Sequence, residues 1–322
     1  MGLFFPLLAS AQGQNDTLDT IQKQTPQNRS AEFTDRPFLK VDYKQFGNYN
    51  FTPALKDQND QQDGKITNWS VLSIGTNIDL VNKRRWQLQA TGMYRYLSVE
   101  EDFSLRQGVN SLESFQGDHH YHTEGLTFNY FSRLFGITAV YSTSVFLDGG
   151  DKSIERVRGM ASGILVLKAD EKTRMSVGLL ATADPAALVP VMPIFLYNNK
   201  LSSRTTLDLM LPRYAYLRTG ISKNGRLSAG FDFDQQTFFL HDFNGTNKTY
   251  QYSQVDANAG LVYEHLLPAH LMLTMSAGYR AAPFVRIFEK DRTFSDYTWS
   301  VKADPAPYAS VGISFNPFSK GK

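Results

Sequence analysis

The sequence predicts an all-β protein: a transmembrane, antiparallel, up-and-down β-barrel of fourteen strands. Three observations carry that expectation. The first is a period-two alternation that returns along most of the chain. Leu88, Ala90, Gly92, Tyr94 and Tyr96 oppose Gln87, Gln89, Thr91 and Arg95; Leu227, Ala229, Phe231 and Phe233 oppose Ser228, Gly230, Asp232 and Asp234; Leu271, Leu273, Met275, Ala277 and Tyr279 oppose Thr274, Ser276, Gly278 and Arg280. Successive side chains of a strand point to opposite faces, so each segment has one apolar and one polar face. The second is that no apolar run approaches the ~18 residues of a membrane-spanning helix. The longest, Ala186 to Tyr197, is broken by Pro190 and Pro193. The third is that tight and long connectors alternate, which segregates them to opposite ends. Membrane barrels combine short turns with long outer loops, whereas a Greek-key sandwich has no reason to do so.

From the N-terminus, Leu3 to Leu8 followed by Ala9-Ser10-Ala11 reads as the end of a secretory signal with an A-x-A cleavage site, although its basic n-region is missing. Residues 1–11 are therefore expected to be a signal remnant. Residues 12–37, rich in Gln, Asn, Asp and Thr, are expected to be a flexible polar lead-in on the periplasmic side. Residues 38–318 form the barrel, and 319–322 a basic tail. The tight turns fall at Asn82-Lys83-Arg84, Ser132-Arg133, Asp170-Glu171, Asn198-Asn199-Lys200, Lys223-Asn224-Gly225 and Leu267-Pro268-Ala269. Asn-Gly supplies the positive φ that a type I′ hairpin needs. The long connections run from Gly47 to Lys65, Ser98 to Tyr121, Asp242 to Thr249 and Phe288 to Asp304. Pro212 divides Leu201–Ile221 into two short segments; if these do not span, the count falls to twelve. The last strand ends on Ala309, Val311, Ile313 and Phe315, an apolar-alternating finish like the C-terminal signal of assembled barrels.

Composition narrows the function classes. A formal net charge of +2 gives no basic surface for nucleic acid. The absence of cysteine removes disulfides, thiolate metal sites, lipid acylation and a cysteine nucleophile. No phosphate loop, dinucleotide fingerprint, zincin motif or G-x-S-x-G elbow occurs. Tyr94, Tyr96, Tyr130, Tyr263, Tyr279, Trp69 and Trp86 fall near strand ends, as interfacial girdle residues do.

The stretch Ala187–Phe233 carries Pro190, Pro193, Tyr197, Thr206-Leu207-Asp208-Leu209, Pro212, Tyr214, Tyr216 and Gly230. This order resembles a family of outer-membrane β-barrels of unknown function from Bacteroidota and related bacteria. Arg204-Thr205-Thr206 stands where such relatives often carry Trp. The resemblance implies fold and location and supplies no activity.

Three features bear on chemistry. In Asp118-His119-His120-Tyr121-His122-Thr123-Glu124 an extended chain puts Asp118, His120 and His122 on one side with Glu124, a weak candidate divalent-metal site or else a solvated rim. His241, His265 and His270 near strand ends are the candidates for lipid hydrolysis, with no Ser-His constellation around them. The third is the polar inner wall, where Arg95, Arg174, Asp208, Asp232, Asp234, Asp256, Glu264 and Arg280 are expected to line the lumen. Asp232, Asp234 and Asp256 would bias a pore toward cations, unless they pair with Arg280. The expectation is a porin-like outer-membrane channel for small solutes, with no catalytic residues and no cofactor. The alternatives are a structural barrel or envelope subunit recruiting a partner through its long outer loops, and a lipid-modifying enzyme. Outer-membrane lipid and lipopolysaccharide are the expected surroundings.

Overall fold

The computed structural model describes Phe33 and residues 37–56, 63–103, 116–151 and 153–317. The leader, most of the lead-in and the basic tail lie outside them. Sixteen strand segments form one sheet: β1 (Leu39–Phe46), β2 (Tyr49–Leu55), β3 (Gly64–Asn82), β4 (Trp86–Phe103), β5 (Gly117–Leu134), β6 (Ile137–Gly149), β7 (Ile154–Ala169), β8 (Thr173–Ala183), β9 (Val191–Lys200), β10 (Thr205–Leu211), β11 (Tyr214–Gly220), β12 (Gly225–His241), β13 (Thr249–Leu267), β14 (Leu271–Glu289), β15 (Trp299–Ala303) and β16 (Ala306–Phe315). All pairings are antiparallel. The sheet closes on itself, because β1 pairs with β16 on one side and β3 on the other.

Two of the staves are broken. β1 covers one half of β3 and β2 the other, while β16 and β15 divide β14 in the same way. The breaks at Gly47-Asn48 and Asp304-Pro305 face each other, bridged by the Gly47 amide donating to the Pro307 carbonyl at 2.8 Å and that of Asp304 to the Asn50 carbonyl at 2.9 Å. Sixteen segments therefore make a closed fourteen-stranded barrel. The segments flanking Pro212 are seven residues each, and both pair on both sides, so neither drops out of the count.

Leu39 pairs with Phe315, so the barrel begins and ends at one rim, which also holds the tight turns. Two of these sit three or so residues later than the sequence suggests: the hairpins turn at Phe135-Gly136 and at Leu201–Arg204. The long connections are shorter than expected, because strand pairing carries on into polar sequence. β4 runs through Glu100, Glu101 and Asp102, and β2 and β15 occupy much of two presumed loops. Asp170 shows how a tight turn is held. One carboxylate oxygen accepts from the amides of Lys172 (3.0 Å) and Thr173 (2.6 Å), and the other faces Lys168 Nζ at 3.1 Å. The Thr173 amide first, then Lys168, holds this carboxyl below the usual carboxylate range. A depressed folded pKa gives stability that is present above the unfolded pKa and lost as the pH falls through the folded one. Asp170→Ala is therefore expected to lower the urea midpoint at pH 7, by an amount that shrinks as the pH falls below the ordinary carboxylate range.

The outward face is apolar. Tyr43, Ile74, Leu126, Val145, Leu217 and Val311 stand exposed on it, as alternation requires of a wall facing lipid. Trp69 departs from the girdle expectation: it faces inward and is 1% exposed. Its partner Val99 and its strand neighbour Val71 share that inner face, as alternation along β3 requires.

Candidate functional site: a lumen rolled shut

The staves differ greatly in height. β10 and β11 have seven residues each, roughly 24 Å of strand, whereas β12, β13 and β14 have 17, 19 and 19. The tall strands lean inward above a row of glycines. Gly230, Gly260 and Gly278 are register partners on the inner face. A Cβ on Gly260 would stand 2.2 Å from the Ala277 carbonyl oxygen, and one on Gly278 2.1 Å from that of Ala259. Only glycine permits so tight a coil, and a glycine kink is how a sheet takes sharp curvature.

Beyond that row the outer half of the β12–β13 hairpin is buried on both faces. Phe238, Phe239, Leu240, Tyr250, Gln251, Tyr252 and Ser253 are all buried in succession. The face carrying Phe238, Leu240, Tyr250 and Tyr252 packs on Phe46, Phe51, Trp69, Leu97, Val99 and Trp299 in the largest apolar cluster. Phe238 stacks on Tyr252 at 4.5 Å and on His119 of β5 at 4.2 Å. The opposite face meets the inner wall of β5 to β7. There Arg156 Nη1 donates to Gln251 Oε1 at 2.8 Å, and Phe239 lies against Tyr121 and Met93. His241 Nε2 stands 3.7 Å from Glu155, which Lys290 Nζ grips at 2.8 Å. In cross-section the outer half is a roll, with the hairpin inside it and β5–β7 wrapped over its far face.

All eight expected lining residues take inner-face register positions. Arg95 crosses the lumen from β4 to β12, donating from Nη2 to Asp234 at 3.1 Å and from Nη1 to the Gln235 carbonyl at 2.6 Å. Arg280 Nη1 meets Asp256 at 3.1 Å, and its guanidinium lies over the rings of Phe46 (4.8 Å) and Tyr49 (4.4 Å). Asp232 accepts from the Tyr216 hydroxyl and from Asn258 Nδ2. Glu264 takes the fork of Arg226 at 2.6 and 2.8 Å, and Arg218 Nε donates to Asp208 at 2.7 Å. Arg174 sits exposed near the tight-turn rim. The three aspartates are thus not a bare acidic row: Asp234 and Asp256 each face an arginine, because a carboxylate in so enclosed a wall needs a counter-charge. Among the described lead-in residues, Phe33 is buried, with the Arg226 guanidinium 4.5 Å from its ring centre.

The histidine cluster lies within strand β5 rather than in a loop. Asp118, His120, His122 and Glu124 share its outward face, where His120 Nδ1 meets the Tyr94 hydroxyl at 2.6 Å and His122 Nδ1 meets Glu124 at 3.0 Å. Among the described residues no three His, Cys, Asp or Glu side chains gather as a metal ion requires. His265 and His270 are at the tight-turn end and His241 at the other, so the three form no single constellation.

Sequence reasoning missed the charged layer on β6 and β7. Asp148 accepts from Arg158 Nε at 2.6 Å and Arg156 Nη2 at 2.9 Å, Arg156 Nη1 also reaches Asp184 at 3.3 Å, and Arg158 lies over the Phe146 ring at 4.7 Å. The signal for that layer was Arg156 and Arg158, two residues apart on one face of β7 beside Asp148 of β6; the loss of alternation at Phe238-Phe239-Leu240 marks a strand buried on both faces.

No curated protein matches the chain in sequence. Among solved structures it is similar to the COG4313 outer membrane channel from Pseudomonas putida F1 at 12% identity, covering 86% of this chain and 94% of that one with a TM-score of 0.37. A FadL homologue from Pseudomonas aeruginosa shares 6% identity over 90% and 92% of the two chains, with a TM-score of 0.31. The outer membrane protease OmpT from Escherichia coli shares 7% over 86% and 96%, with a TM-score of 0.28. The likeness is one of fold. The model of a domain of unknown function, DUF6268, matches residues 25–316, and the chain belongs to that family.

Proposed function

We propose that the protein is a channel for small solutes in the bacterial outer membrane, held closed in this conformation, with its tight turns in the periplasm. One observation carries this reading. The inner hairpin is sealed on one face by a large aromatic core, but on the other by an arginine–amide hydrogen bond and a histidine beside a carboxylate, around one small apolar contact. A barrel filled for structure alone would gain from dry packing on both sides. The polar side marks a path along β5–β8 that side-chain movement opens. The outward apolar band suits lipid and lipopolysaccharide.

Planar-bilayer recording of the refolded chain tests this, with heat-modifiable gel mobility as the folding control. Discrete, infrequent steps of weak ion selectivity are expected, because the lumen charges are matched. Arg95→Ala removes the guanidinium opposite Asp234 and is expected to shift selectivity toward cations. Silence of the folded wild type and of Arg95→Ala alike would count against the channel.

A further inference from the structure

Resting on the channel reading, we infer that the outer corner of β7 and β8, with the connection Asp184–Pro190, is a hinged flap latched onto the β12–β14 side, and that releasing this latch opens the channel. The geometry of the wall makes this corner a free edge. β8 ends at Ala183, and its neighbours β9, β10 and β11 supply no outer half beyond it. Above that level the corner has no further stave to pair with on that side. It is held instead by contacts that reach across to the opposite wall.

Those contacts are few and of two kinds. The polar part is Glu155 of β7, whose side chain is 4% exposed, takes Lys290 Nζ at 2.8 Å and faces His241 Nε2 of β12 at 3.7 Å, together with Arg156 donating to Gln251 on the hairpin. The apolar part is Ala186, which sits with Phe288 and Phe294 in a small separate cluster. The Phe294 amide also donates to the Pro185 carbonyl at 3.3 Å. None of these residues belongs to the large core behind the hairpin, so the flap separates without disturbing that core. With Glu155 buried and Lys290 only partly so, this hydrogen-bonded charge pair holds the flap against separation. Breaking the pair is therefore expected to change how often the flap opens rather than the size of the opening.

The chain has no cysteine, so an introduced pair is the only thiol pair present. Ala186→Cys with Phe294→Cys places two thiols across the latch, next to the backbone hydrogen bond that already joins the segments. In single-channel recording the oxidised pair is expected to be silent, and reduction to restore the steps. Lys290→Met and Glu155→Gln are each expected to raise the open fraction about tenfold with unchanged step size. Equal conductance in the oxidised and reduced forms would overturn the flap while leaving the channel intact. The flap is likewise overturned if neither charge variant alters the open fraction. Silence of every folded form, reduced and unlatched included, would overturn the channel reading and the flap with it.

Discussion

Arg280→Leu is expected to destabilise the folded barrel by about 3–5 kcal/mol, the cost of leaving one member of a buried ion pair behind. Both side chains are wholly buried, and Asp256 would keep only the Gln254 amide, at 2.7 Å, as donor. Arg280 also holds the rings of Phe46 and Tyr49 against the inner wall, so its loss disturbs the break between β1 and β2. Replacing both members, Arg280→Leu with Asp256→Leu, is expected to recover most of the loss, since a well-packed apolar pair is often no worse than the ions it replaces. Urea titration of the barrel in lipid vesicles measures both. A double variant as unstable as the single one would mean that the pair organises the wall in a way apolar packing cannot replace.

Leu126→Arg should lower stability in vesicles by about 2–4 kcal/mol, the cost of a guanidinium on the lipid face at mid-depth. Leu126 is 52% exposed near the middle of β5, and its register partners Ala90 and Val145 share the outward face. Glu171→Arg, in the exposed turn after Asp170, is expected to stay within about 0.5 kcal/mol as the control. If both variants behaved alike in vesicles, the apolar band would not be facing lipid and the membrane assignment would fail.

The barrel was legible because its membrane-level code is simple. Along the first half of β4, the tight-turn half of β12 and most of β14, apolar residues look outward and polar ones inward, which two-residue periodicity exposes directly. The lining residues followed from the same parity. Their partners did not, because Arg95 and Asp234 lie on strands that meet only once the sheet has closed and leaned in. The extent of the loops was misjudged for a related reason. Glu100-Glu101-Asp102 reads as a loop, yet a ladder that continues past the lipid has no need of apolar side chains. The roll of the lumen was written in Phe238-Phe239-Leu240 and in the glycines below it, but a run apolar on both faces does not say which wall will cover it.

The closing seam has a consequence for how the molecule is built. Every other stave pairs with a chain neighbour across one connection, so hairpins can zip in sequence order as the polypeptide arrives. Only β1 with β16 and β2 with β15 unite the two ends of the chain, and they do so in two separate strips divided by facing breaks. Contacts this distant in sequence are entropically the last to form. The natural final step is therefore a two-part clasp, in which one strip holds the rim together before the other engages. Until then Phe46, Tyr49 and Phe51 at one end of the chain and Trp299 and Tyr308 near the other are not joined in one bed beneath the hairpin. Closure of the wall thus also completes the packing around the inner hairpin.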